Sequence, residues 1–183
     1  VFPSARSEAT RELLPAEGLP LIKSLPCMLA DLKQVPEKSA GVPPLGVCRV
    51  ENRRDRDLWE AVSFSGFDFT PDTKQQFHRF VSAFDLGENS RYKLLLGRIG
   101  ATAVATAMLF VEKSGCGIYF LTTSADNRKR GIGLAMTQAA MRAAKKYGAG
   151  FAALQSSPDG YRMYRRAGFE ERCRVDVYGR QDA

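Results

Sequence analysis

The chain has 183 residues, 44% of them hydrophobic and 26% charged, a balance that suits a globular domain with a sizeable core and excludes a disordered or fibrous chain. The longest apolar stretch, residues 101–111, contains threonines and is too short to span a bilayer, so a cytoplasmic protein with no membrane partner is expected. The formal charge is +7, and residues 128–174 hold all of that surplus, with eleven Lys/Arg against three acids.

In chain order, residues 7–14 suit a short helix, and Leu19–Leu32 reads as an irregular apolar segment interrupted by Pro20 and Pro26. Residues 35–44, with three prolines and Gly41, form a linker. Leu14-Pro15-Ala16-Glu17-Gly18-Leu19 echoes Tyr164-Arg165-Arg166-Ala167-Gly168-Phe169, and a strand-like run follows each. Residues 1–34 are therefore either an extension that is the tail of a preceding, degenerate half, or the match is chance; with Val1 in place of a methionine, a fragment of a longer protein is expected.

The main domain is expected over 45–183. Gly46–Val50 is a first strand. Asp55–Phe64 reads as a helix with Leu58, Ala61 and Val62 inward, and Thr70 or Asp72 caps a second, Thr73–Phe84, burying Phe77, Phe80, Val81 and Phe84. Arg91–Arg98 and Ala101–Val111 form an antiparallel pair about Gly100. Residues 113–115 then turn into Ile118–Thr123, whose β-branched and aromatic residues suit a buried strand. A polar turn, Ser124–Asn127, leads to Arg128-Lys129-Arg130-Gly131-Ile132-Gly133 and to a helix, Leu134–Tyr147, with Met136, Ala140, Ala143 and Tyr147 on one face. Phe151–Gln155 is a strand buried on both faces. Ser157 and Pro158 suit the N-cap and first position of a short helix, and Cys173–Tyr178 is the last strand. The order is β-α-α-β-β-β-α-β-α-β.

The basic glycine loop between strand and helix has a direct physical use. The first N–H groups of a helix lack intrahelical partners and sit at the positive end of its dipole, so they bind phosphate. Gly131 and Gly133 let an anion approach the backbone, and Arg128, Lys129 and Arg130 add charge. A third glycine for a dinucleotide fingerprint is missing, and no G-x-x-x-x-G-K-[ST] occurs.

R-x-x-G-x-G opening an Ala-rich helix after a strand resembles the acyl-coenzyme A pyrophosphate loop of the GCN5-related N-acetyltransferase superfamily. Downstream, Leu154 to Phe169 looks like that family's second signature, a strand and a tyrosine-bearing short helix closing in Y-x-x-x-G-F at Tyr164–Phe169. The resemblance implies an α/β fold with a mixed, mostly antiparallel central sheet flanked by helices.

It also implies a chemistry: an N-acetyltransferase that moves an acetyl group from acetyl-CoA to a primary amine, on a small molecule or peptide, by direct attack. Pantetheine would bond to backbone at Leu121 and Thr123, and an N–H near Leu121 or Thr122 would face the acyl oxygen. The pyrophosphate would lie on Arg128, Lys129, Arg130, Gly131, Ile132 and Gly133, and Tyr164 would serve as general acid. Two positions depart from the pattern. Lys129 stands where many relatives have glycine, and Ser157 stands where many have asparagine, which makes N-capping the safer role for Ser157 than a pantetheine contact. The base is not identified; Glu112, Asp68 or a water chain are all open. The segment after the first helix makes Phe67, Asp68 and Phe69 acceptor-site candidates, although the two phenylalanines equally suit a core.

The alternative is a non-catalytic acyl-CoA binding or sensing module. The basic patch also admits nucleic acid, but no aromatic and basic residues interleave as base stacking requires. Cys27, Cys48, Cys116 and Cys173 show no C-x-x-C, so they are expected as reduced, small core residues with no metal. His78, the only histidine, reads as a surface residue. A homodimer is left open.

Overall fold

A computed structural model describes residues 8–37, 44–67 and 69–180. It is a mixed α/β fold with seven strands, mostly antiparallel, and five α-helices. The strands are β1 (Leu21–Asp31), β2 (Gly46–Arg49), β3 (Tyr92–Ile99), β4 (Thr102–Val111), β5 (Gly115–Thr123), β6 (Phe151–Gln155) and β7 (Glu170–Tyr178). The helices are α1 (Glu8–Ala16), α2 (Arg53–Gly66), α3 (Lys74–Ser82), α4 (Ile132–Lys146) and α5 (Pro158–Arg166). From β2 onward the order is the one expected from the sequence. The chain divides into two compact units, residues 31–152 and residues 1–30 with 153–183.

In the unit of residues 31–152, β2, β3, β4 and β5 form an antiparallel meander, with Cys48 opposite Leu96, Leu95 opposite Ala107 and Leu109 opposite Ile118. Val50, Trp59, Phe77, Val81, Leu94, Leu96 and Met108 make one buried cluster. Asn52 caps α2 by accepting from the Asp55 N–H, and the Trp59 indole N–H donates to the Ala107 carbonyl at 3.1 Å. Trp59 is fully buried while Ala61 is exposed and Leu58 only half-buried. The inward stripe of α2 is thus Trp59, Val62 and Ser63, because the large indole, with its N–H satisfied, sets the face.

Two further expectations are corrected in this unit. Phe80 is 44% exposed and Phe84 half-buried, since α3 ends at Ser82 and offers only Phe77 and Val81 inward. On α4 the buried stripe runs through Met136, Ala140 and Ala144; Ala143 is half-buried and Tyr147 is 39% exposed.

In the other unit, β1 is a regular strand where proline had suggested irregular chain. It pairs antiparallel with β7 from Leu21 opposite Tyr178 to Leu29 opposite Glu170, with register irregularities after Leu21 and after Cys27. Proline is tolerated where pairing is interrupted. Pro26 lies next to the second irregularity, and its carbonyl still accepts from the Ser156 N–H at 2.9 Å. The likeness between residues 14–19 and 164–169 has a counterpart in geometry. Leu19 N–H donates to Leu14 O and Phe169 N–H to Tyr164 O, around Gly18 (φ 76°) and Gly168 (φ 98°). Both are helix ends with a left-handed glycine, each followed by a strand.

Cys27 and Cys173 face each other across β1 and β7. Only Cys116 among the four thiols is buried, and Cys48 is exposed, so the expectation of four core cysteines holds for one. β6 alternates, with Phe151 38% exposed and Ala152 and Leu154 buried, and is not buried on both faces. His78 is exposed, as expected, with Nδ1 2.9 Å from Glu60 Oε2. No helix of the described residues is long and apolar enough to cross a membrane.

Candidate active site

β5 ends in a bulge. Thr106 opposes Thr122 and Met108 opposes Tyr119, so Phe120 and Leu121 together face only Ala107. Phe120 takes a left-handed backbone, φ 47°, and such a bulge leaves one residue out of the ladder and re-aims its neighbours. The distortion is held from α2: Ser63 Oγ donates to Thr106 Oγ1 (3.0 Å), and Thr106 Oγ1 donates to the Phe120 carbonyl (2.9 Å). Ser63 and Thr106 are fully buried. Neither was singled out from the sequence, because a serine on a helix and a threonine in a strand carry no signal until the register pairs them.

After Thr123 a single 3₁₀ turn, Ala125–Asn127, leads into the basic loop. Lys129 has φ 58° and Gly131 φ 78°, two left-handed residues that fold the loop back onto the start of α4. The amino end of α4 has no side-chain cap, whereas α2 and α5 are capped by Asn52 and Ser157. Its first N–H groups are thus left to a ligand or to water, with the glycine backbone of Gly131 exposed before them. Ile132 is buried and anchors the turn, and Thr137 Oγ1 donates to the Gly133 carbonyl at 2.8 Å.

The three cations of the loop have separate surroundings. Arg130 donates to Asn127 Oδ1 at 2.9 Å, and Lys129 is exposed. Arg128, also exposed, folds back on the chain, donating from Nη2 to the Gly66 carbonyl (2.8 Å) and from Nε to the Thr123 carbonyl (3.2 Å). The Gly66 carbonyl also accepts from Thr122 Oγ1 at 3.1 Å. A Cβ on Gly66 would lie 2.5 Å from that same oxygen, so the end of α2 reaches β5 only as glycine. The acceptor-site candidates follow directly: Phe67 and Phe69 are 42% and 37% exposed and so are not core residues. Asp68 lies outside the described residues. Glu112, one of the open choices for a base, is engaged with Arg91 at 2.7 Å.

Tyr164 and Ser157 belong to the unit of residues 1–30 and 153–183. Ser157 Oγ accepts from the Gly160 N–H at 3.2 Å, the N-capping role. Tyr164 is 8% exposed and meets Phe169 edge-on at 5.9 Å. Burial pushes its phenol up to about 12, so near neutral pH it carries its proton despite the arginines at 162, 165 and 166. Gly160 leaves room for the ring, since a Cβ there would lie 2.7 Å from Tyr164 Cε2.

The bulged strand and the uncapped helix start behind a basic glycine loop lie in the unit of residues 31–152, and the buried tyrosine lies in the other unit. The profile of the acetyltransferase (GNAT) family matches residues 53–169. The chain belongs to that family. Among solved structures it is similar to a GCN5-related N-acetyltransferase from Kribbella flavida (TM-score 0.73, 22% identity, 96% of this chain and 65% of that one). It is also similar to one from Sphaerobacter thermophilus (TM-score 0.72, 19% identity, 95% of this chain and 56% of that one). A third likeness is to glucosamine-6-phosphate N-acetyltransferase from Arabidopsis thaliana (TM-score 0.58, 13% identity, 76% of this chain and 99% of that one). The chain therefore spans less than two thirds of the length of the first two. The sequence has no match among curated proteins.

Proposed function

We propose that the chain is an N-acetyltransferase that moves an acetyl group from acetyl-CoA to a primary amine by direct attack. The observation that carries this reading is the start of α4: a left-handed Gly131, no side-chain cap, and Lys129 and Arg130 beside it. That donor set fits a pyrophosphate, because unpartnered N–H groups at a helix start and nearby cations both favour an anion.

When bound, acetyl-CoA supplies the acyl group already activated as a thioester. Gly131, Ile132 and Gly133 would hold the pyrophosphate through backbone N–H groups, with Lys129 and Arg130 neutralising charge. Leu121 and Thr123 would align the pantetheine along β5, and an N–H at Leu121 or Thr122 would receive the acyl oxygen as charge gathers on it. Tyr164 would donate its phenolic proton to the departing thiolate, and its protonated state near neutral pH supports that role. Arg128 is satisfied by two backbone carbonyls, which favours a part in shaping the loop. Ser157 keeps its capping role.

Calorimetry of coenzyme A with the intact chain, and with Gly131→Glu, tests the reading, followed by acetyl-CoA consumption over a panel of amines, amino acids and peptides. Binding that Gly131→Glu abolishes, with acetyl transfer in the unmodified chain, is expected. Unchanged affinity in that variant would remove the loop assignment, and binding without turnover on any amine would make the chain an acyl-CoA binding module.

A further inference from the structure

Three neighbouring phenylalanines of the 31–152 unit are exposed: Phe67 at 42%, Phe69 at 37% and Phe80 at 44%. They form one wall around Phe120. Phe67 stacks on Phe69 with centroids 5.8 Å apart and meets Phe120 edge-on at 5.7 Å, while Phe80 lies 5.5 Å from Phe120. Buried Phe77 backs them, 5.0 Å from Phe69 and 5.9 Å from Phe120.

Two features tie this wall to the proposed acyl site. The ring of Phe120 is presented by the strained residue of the bulge, φ 47°, immediately before Leu121 and Thr122. The carbonyl of Gly66, the residue before Phe67, is fixed by Thr122 and Arg128. The rings are therefore set by the same strand and loop that would hold the thioester and pyrophosphate. Side chains that expose large apolar faces and yet are rigidly placed mark a contact surface.

Resting on the reading of acyl transfer to an amine, we infer that the acceptor is a primary amine with an aromatic body, whose ring packs on Phe67, Phe69 and Phe80 while its amino group reaches past Phe120. Such rings favour an aryl group through edge and stacked contacts and a nearby ammonium through their faces. The size of the wall argues for a small acceptor over a protein partner. Together the three residues expose little more than one whole phenylalanine, on the order of 200 Å², against about 800 Å² on each side of a stable protein interface.

The test is acetyl transfer by the intact chain to phenethylamine, ethylamine, putrescine and glucosamine, with Phe67→Ala, Phe80→Ala and the ring-retaining Phe67→Trp, each checked for folding by thermal melting. Phenethylamine is expected to exceed ethylamine in kcat/KM by roughly 10-fold or more, the scale at which an apolar pocket discriminates. That ratio should shrink in both alanine variants and persist in Phe67→Trp. Equal or better transfer to putrescine or glucosamine, or a ratio unmoved by both alanine variants, overturns the aromatic acceptor and leaves acyl transfer standing. Absence of transfer to every amine, with coenzyme A bound, overturns the acyl-transfer reading and this inference with it.

Discussion

The guanidinium of Arg128 donates to the carbonyl of Gly66, 62 residues earlier, at 2.8 Å. One side chain thus joins the basic glycine loop to the last residue of α2, after which the exposed phenylalanines begin. Arg128→Ala removes that bond and the one to Thr123 O, and should cost about 1–2 kcal/mol of stability, the scale of hydrogen bonds to a charged group. The larger kinetic effect should be a raised KM for the amine, with coenzyme A affinity falling less than in Arg130→Ala. Equal losses of coenzyme A affinity in the two variants would make Arg128 a pyrophosphate ligand. Thermal melts and calorimetry on both variants decide it.

The order of elements from β2 to β7 was legible because each rests on local pattern: the β-branched run at Ile118–Thr123, the Ala-rich face of α4, the Ser157-Pro158 helix start. Three features were not. β1 was obscured by Pro20 and Pro26, since a strand's tolerance for proline depends on where its partner is irregular. The bulge at Phe120 depends on register between β4 and β5, which no single strand encodes. Arg128 could be seen as a cation but not as one folded back on the chain, because its acceptors, Gly66 O and Thr123 O, are backbone groups that look alike at every position.

Lys129 has φ 58°, in the left-handed region that favours glycine. A non-glycine residue there costs about 1–2 kcal/mol, and glycine returns roughly 0.5–1 kcal/mol of that through its freer unfolded chain. Lys129→Gly should therefore leave stability unchanged or raise it by up to about 1.5 kcal/mol, a rise of at most about 3–6 °C in Tm for a chain of this size. Coenzyme A affinity should fall modestly through the lost charge, and the fall should weaken as salt is added. A drop in Tm would show that the lysine makes a stabilising contact in the loop.

Burial raises the Tyr164 phenol from 10.0 to about 12, and the sign of the consequence is fixed. Below pH 10 the tyrosine is protonated in both folded and unfolded chains, so the site adds no pH dependence. Between pH 10 and 12 the unfolded chain releases this proton and the folded chain keeps it, so stability falls as pH rises. The full loss is of order 2–3 kcal/mol, reached near pH 12. Denaturant melts from pH 9 to 12 should show a steeper decline for the unmodified chain than for Tyr164→Phe. Parallel declines would mean that the phenol titrates alike in both states.

The same variant separates the chemical from the structural role of Tyr164. The tyrosine is buried against Phe169 over Gly160, so its ring has a packing function whatever its hydroxyl does. Phenylalanine keeps that ring and removes only the oxygen. If the hydroxyl protonates the leaving thiolate, turnover should fall by about 100-fold to 10,000-fold, the range for general acid catalysis. Coenzyme A affinity and Tm should hardly move, because the proton is needed only as the carbon–sulfur bond breaks. A second readout guards against a purely structural effect. A donor series of acyl thioesters of lower leaving-group pKa, assayed with one amine acceptor, should recover part of the lost rate in Tyr164→Phe, since a better leaving group needs the proton less. Full turnover in the variant, or a loss that leaving-group pKa does not repair, would assign Tyr164 to the core and the acid to another group.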